Sequence, residues 1–187
     1  VTVHALFFCL RPDPATAMRL SGVSDEIAHR FGLRVRPSRA ERLHVTLHHL
    51  GWYDDQNDEA DTMAEVRRLA EGAADTLRHA PLRLDFDELL SFRRKPRNLP
   101  LVLSGGRCLD EVRALRAALG ECLRAAGLRT DPQFTPHLTL FYDNTPIEPK
   151  PFIVPGWDAA DFHLIDSLQG QSRHVDLGRW ALTAASA

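Results

Sequence analysis

His44-Val45-Thr46-Leu47 and His137-Leu138-Thr139-Leu140 repeat one tetrad, His-apolar-Thr-Leu, 93 positions apart. A chain of 187 residues with 9 His, 10 Thr and 27 Leu yields roughly 0.03 such tetrads by chance, so two are not an accident of composition. On a strand, residues i and i+2 share a face. His44 and Thr46 then point one way, as do His137 and Thr139, while Val45, Leu47, Leu138 and Leu140 enter an apolar layer. If the two strands lie side by side, one cleft receives two imidazoles and two hydroxyls. That set suits phosphodiester chemistry at a 2′,3′-cyclic phosphate. A neutral imidazole takes a proton from water and a protonated one gives a proton to the leaving oxygen, both near pH 7. The hydroxyls of Thr46 and Thr139 donate to the non-bridging oxygens, where negative charge gathers. No nucleophilic side chain, metal or cofactor is required.

Two other readings compete. A lone His-x-Thr on a strand is most often a structural histidine bonded to a neighbour, and the pairing argues against that here. A three-histidine zinc site could draw on His44, His48 and His137. It leaves the two threonines unexplained, and the chain has no H-E-x-x-H motif.

The elements that must position these residues can be read from periodicity. A buried strand is expected over His4–Leu10. Asp13-Pro14 reads as an N-cap and first helical residue. Leu20, Val23, Ile27 and Phe31 follow at helical spacing to a stop at Gly32. A short strand is expected over Leu33–Arg36 and a strong one over Leu43–Leu50, ending at Gly51. Trp52–Asp58 reads as loop. Asn57 or Asp58 caps a helix to about Ala80, ended by Pro81. Strands follow over Leu82–Phe86 and Leu99–Leu103. Leu109, Val112, Leu115, Leu119 and Leu123 mark an amphipathic helix stopped by Gly127. Phe134–Tyr142 is strand-like. Asn144–Pro155, with four prolines, reads as loop. Phe162–Leu168 and His174–Leu182 form a final hairpin around Gln169-Gly170-Gln171. The order implies an α+β or α/β fold, with helices covering one side of mostly antiparallel sheet.

Composition bounds the partners. The net charge of −2, from 23 basic and 25 acidic residues, excludes a generic nucleic-acid coat but not an enzyme holding one phosphate at an RNA end. Apolar residues make up 44% and charged residues 26%, as in a soluble globular chain of one domain. No apolar run approaches 18 residues, and no signal peptide is expected. Cys9, Cys108 and Cys122 are odd in number and lack C-x-x-C spacing, which favours buried thiols in a reducing cytoplasm.

The two tetrads, in this order and at this separation, resemble the two-histidine (2H) phosphoesterase superfamily. The rest of the chain resembles its 2′-5′ RNA ligase branch, also described as LigT-like RNA 2′,3′-cyclic phosphodiesterases. Leu6-Phe7-Phe8-Cys9-Leu10 is similar to that family's first strand, Leu43–Gly51 to its first motif strand, and Phe134-Thr135-Pro136-His137 to the lead-in of its second motif. Phe162-His163-Leu164 through Arg179-Trp180-Ala181-Leu182 is similar to its closing hairpin. The resemblance implies two pseudo-symmetric lobes forming one 2H domain over residues 1–187. Each lobe has a mainly antiparallel sheet with helices outside, and one motif flanks each side of a central cleft. It implies metal-free opening of a 2′,3′-cyclic phosphate to a 2′-phosphate, and ATP-independent joining of that end to a 5′-hydroxyl as a 2′-5′ linkage. It further implies that His137 activates the water and His44 protonates the departing 3′ oxygen.

The chain departs from the pattern in three places. Many members carry an arginine where this chain has Tyr142, which donates one hydrogen bond and carries no charge near pH 7; another cation is then needed, or phosphate binding is weaker. His48 and His49 stand where small and aromatic residues are usual. His48 is expected to face the cleft, tuning His44 or binding substrate, with a solvated cleft-edge residue as the bland alternative. The chain is also short before its first strand. Among other residues, Arg93, Arg94, Lys95 and Arg97 could guide an RNA backbone or form a solvated loop. Phe8, Phe141, Trp52 and Tyr53 could stack on a base, with Phe8 and Phe141 preferred, whereas Trp157 and Trp180 read as core. The expected protein is a cytoplasmic monomer acting on an RNA or oligonucleotide ending in a 2′,3′-cyclic phosphate. The alternatives are a 2H-fold binding module for a nucleotide or RNA end, and a phosphodiesterase for small cyclic phosphates such as ADP-ribose 1″,2″-cyclic phosphate.

Overall fold

The computed structural model describes residues 2–33, 38–55, 59–93, 96–106 and 109–184. Strand β1 (Val3–Leu10) is apolar almost throughout and lies inside the sheet, between β2 (Val45–Asp54) and β7 (Asp161–Leu168), both antiparallel to it. The remaining strands are β3 (Leu82–Ser91), β4 (Leu99–Ser104), β5 (Leu138–Asp143), β6 (Lys150–Ala159) and β8 (Arg173–Ala181). All eight form one antiparallel sheet in the order β6-β3-β4-β5-β2-β1-β7-β8. The α+β expectation holds. The two halves are four-stranded, and they join edge to edge through the single pair Val45↔Leu138. Each residue of that pair sits one position after a motif histidine, so the seam itself brings the two tetrads together.

Helices α1 (Pro14–Arg30), α2 (Glu59–Thr76) and α3 (Asp110–Ala125) cover one face. The Asp13 carboxylate accepts from the Thr16 backbone N–H at 3.0 Å, with Pro14 in the first turn, as the sequence suggested. Val112, Leu115, Leu119 and Leu123 of α3 are fully buried against the sheet. Each such side chain contributes roughly 1.5–3 kcal/mol. Gly32 and Gly127 have positive φ and end α1 and α3.

Several boundaries differ from expectation. β2 continues through Gly51 to Asp54, because Ala5, His4 and Val3 of β1 extend the ladder to Trp52, Tyr53 and Asp54. Gly51 has φ 151°, and a Cβ there would lie 2.6 Å from the Tyr53 hydroxyl, so a side chain could not pass. Helix α2 stops at Thr76, short of Ala80. β3 runs on to Ser91, paired with both β4 and β6. Much of the proline-rich stretch read as loop is strand β6. Among the described strands it lies at the edge and pairs with β3 alone, so Pro151 and Pro155 can sit where register shifts interrupt the ladder. Residues 34–36 of the expected short strand, the Asn57 and Asp58 caps, Arg94, Lys95 and Cys108 lie outside the described residues. Among the described residues, no helix is long and apolar enough to cross a membrane.

Candidate active site

The two motif strands each carry a bulge directly after the motif threonine. In β2, Cys9 pairs Thr46 but Phe8 pairs His48, so Leu47 is the extra residue. In β5, Val102 pairs Thr139 but Leu101 pairs Phe141, so Leu140 is the extra residue. A bulge breaks the alternation of faces. The histidine and threonine of each tetrad therefore stay on the face away from the helices, while the residue after the bulge turns back toward them.

His44, Thr46, His137 and Thr139 line one cavity of about 520 Å³, with Arg39, Arg42 and Tyr142 also in its wall. Among the described residues no carboxylate lines it, which suits an anion. The two histidines are held in the same way. His44 Nδ1 donates to the Arg42 carbonyl and His137 Nδ1 to the Thr135 carbonyl, each at 2.7 Å and each two residues back. A carbonyl only accepts, so in each neutral ring Nδ1 carries the hydrogen and Nε2 the lone pair. The Arg42 carbonyl is supplied by a 3-10 turn, Ala40–Arg42, that leads into β2.

The rings are also packed. Phe7 stacks on His44 with centroids 4.9 Å apart and planes 26° apart, and His174 meets His44 edge-on at 5.4 Å. Phe92 meets His137 at 4.8 Å. Burial pushes the His44 imidazole down to about 4, and the positive charges of His137, Arg42 and Arg11 add to that shift. Burial likewise takes His174 down to about 3, with the charges of His44, Arg42 and Arg11 acting in the same direction. His44 is thus neutral at pH 7 in the unliganded protein. The arrangement offers one imidazole ready to accept a proton, a second beside it, two hydroxyl donors and two guanidinium groups.

The structure corrects three expectations. His48 does not face the cleft. It is 4% exposed, and its Nε2–H donates to the Arg116 carbonyl of α3 at 2.8 Å. The bulge at Leu47 put it there, and it cannot join His44 and His137 around a zinc ion. Phe8 is fully buried among Phe162 and Trp180 and has no face for a base; its neighbour Phe7 holds the cleft side. Phe141 contributes to the cavity wall yet is 0% exposed, so it too offers no stacking surface. Tyr142, 52% exposed, does line the cavity. Trp52 is exposed beside His49, and Tyr53 is buried. Arg93 pairs with Glu148. Trp157 is core as expected, and Trp180 stacks on Phe162. Cys9 is buried, and burial pushes its thiol far up.

Sequence reasoning missed Phe7, Phe92, His174, Arg39 and Arg42. The arginines could have been found, since they stand five and two residues before His44. His174 could not. It comes from β8, three places along the sheet from β2, and only the strand order brings it to His44.

The model of the 2′-5′ RNA ligase superfamily matches residues 14–163. Among solved structures, the chain is similar to E. coli LigT in its apo form, with a TM-score of 0.71 and 23% identity over 98% of this chain and 99% of that one. It is similar to E. coli LigT complexed with 3′-AMP, with a TM-score of 0.69 and 23% identity over 97% and 99%. It is also similar to TT0787 of Thermus thermophilus, with a TM-score of 0.63 and 22% identity over 97% and 100%. At these identities the likeness is one of fold. A search of curated proteins gives no match.

Proposed function

The chain belongs to the 2′-5′ RNA ligase superfamily, with the 2H phosphoesterase fold, and from that premise we propose that it is an RNA 2′,3′-cyclic phosphodiesterase. One observation carries the reading. Two His-x-Thr tetrads, each histidine fixed through Nδ1 to its own chain, share one cavity with no carboxylate among its described lining residues. A cyclic phosphate seated there places its non-bridging oxygens against the Thr46 and Thr139 hydroxyls and its charge near Arg39 and Arg42. Water attacks phosphorus and the P–O3′ bond breaks. One imidazole takes the proton of the water and the other protonates O3′, leaving a 2′-phosphate and a free 3′-hydroxyl. If the attacking oxygen is the 5′-hydroxyl of a second strand, the same steps give a 2′-5′ linkage without ATP.

In this reading His44, whose protonated form burial disfavours, takes the proton and His137 supplies it, the reverse of the division implied by the resemblance. Arg42 stands in for the charge that Tyr142 lacks. The test is incubation with RNA ending in a 2′,3′-cyclic phosphate in the presence of EDTA. A 2′-phosphate end is expected. Unchanged RNA that still binds would leave a binding module, and activity lost to EDTA and restored by zinc would refute the two-histidine scheme.

A further inference from the structure

A second cavity, of about 400 Å³, adjoins the first and shares Arg39, Arg42 and Ser172 with it. Arg11, Arg173 and His174 complete its basic side, against one carboxylate, Glu41, among the described residues. Of the four guanidinium groups described there, two are already engaged. Arg11 pairs with Asp176 at 3.1 Å and donates to the Glu41 carbonyl at 2.7 Å, and Arg39 lies 3.8 Å from Glu41. Arg42 and Arg173 have no carboxylate partner among the described residues. Arg42 Nε is buried and has no hydrogen-bond partner there. A buried donor left unsatisfied is costly, and an anion that brings an acceptor to the Arg42 guanidinium relieves that cost. Gln171 and Ser172 add uncharged donors from the β7–β8 turn.

We propose that this side cavity is a second phosphate subsite, which takes a further phosphate of the same substrate molecule, held by Arg42 and Arg173. The proposal rests on the reading above and narrows its substrate class. The first cavity holds the cyclic phosphate, and the second requires a substrate with another phosphate one nucleoside away. That group is either the phosphodiester preceding the terminal nucleotide of an RNA or the pyrophosphate of a dinucleotide such as ADP-ribose. A single nucleoside cyclic phosphate fills only half the site. Arginine suits the role because its planar fork matches two phosphate oxygens at once.

Binding by calorimetry tests this without turnover. The ligands are a nucleoside 2′-phosphate, a dinucleotide ending in the same 2′-phosphate, and ADP-ribose 1″-phosphate. At least one of the larger ligands should bind about 10-fold or more tightly than the mononucleotide, as charge-assisted bonds to one phosphate allow. Tight binding of the dinucleotide alone identifies an RNA phosphodiester, and of ADP-ribose 1″-phosphate alone a pyrophosphate. Arg173→Gln, which lies outside the first cavity, should cut that gain to about twofold and leave mononucleotide binding unchanged. Equal affinity for all three ligands overturns the proposal, as does an Arg173→Gln loss that is the same for all. Failure of the cyclic phosphate to turn over would instead overturn the enzyme reading and leave these affinities as the measure of the subsite.

Discussion

The depressed pKa of His44 gives the pH profile a distinctive shape. Two ordinary imidazoles would put both limbs of the profile around 6.5. Burial takes His44 to about 4, so as a base it stays neutral through pH 5.5. There an ordinary histidine base would already be about nine-tenths protonated. The perturbation is a shift from pH 7 to pH 5.5 in kcat/KM, measured on a nucleoside 2′,3′-cyclic phosphate. Two ordinary imidazoles predict a net fall of about twofold, because the acid's gain in protonation offsets most of the base's loss of its neutral form. With His44 as base at its depressed value, kcat/KM does not fall over this interval, and its acid limb appears only near pH 4. A fall over this interval therefore refutes the burial argument; exchanging the two roles would leave the shape of the profile unchanged, since the rate follows the product of one neutral and one protonated fraction either way. Bound substrate brings negative charge to His44 and raises its pKa, so the acid limb of kcat should lie above that of kcat/KM. Arg42→Gln removes one of the positive charges that hold His44 down, and should move the kcat/KM limb upward.

Three further outcomes are expected. His44→Ala and His137→Ala should each cost at least about 100-fold in turnover, and the double variant less than the product of the two, because the pair acts as a unit; steady-state kinetics checks both. His48 is neutral when folded and titrates freely when unfolded. As pH falls from 6.5 to about 4, the unfolded chain takes up a proton that the folded one resists, and about 3 kcal/mol of stability is lost. His48→Gln, which keeps an amide donor for the Arg116 carbonyl, should remove that loss in urea unfolding at pH 7 and pH 4.5 while leaving kcat within about twofold. Tyr142→Arg places a charge in the cavity wall and should lower KM for the cyclic phosphate, visible in initial rates; an unchanged KM would mean that Arg39 and Arg42 already saturate the need.

The parts of this protein legible in its sequence are those fixed by local chemistry. Asp13-Pro14 caps α1, Gly32 and Gly127 end helices, and the spacing of α3 places Val112, Leu115, Leu119 and Leu123 in the core. The tetrads were legible because strand alternation and residue type agree over four positions. What failed depends on the neighbouring strand. Pro151 and Pro155 look like loop until β6 is known to be an edge. His174 carries no local mark, and strand order alone carries it to His44.

The bulges explain the sharpest failure. Strict alternation from Thr46 puts His48 in the cleft, and a bulge at Leu47 reverses it. The same device at Leu140 turns Phe141 inward, so the two halves share more than a motif. In each, the side chain after the bulge is sunk in the layer behind the sheet, which pins the strand just beyond the reacting residues. On the β2 side the pin is reciprocal. His48 donates to the Arg116 carbonyl, and Arg116 Nε donates to the carbonyl of the bulged Leu47 at 3.1 Å. Helix α3 approaches closely enough for this because position 120 is glycine, where a Cβ would lie 3.1 Å from His48 Nε2. Arg116 also covers the Phe134 ring at 4.5 Å, three residues before His137. One helix side chain therefore bears on the approach to both tetrads. The second histidine of His44-x-x-x-His48, which in sequence invites a metal site, instead anchors the strand that carries the first.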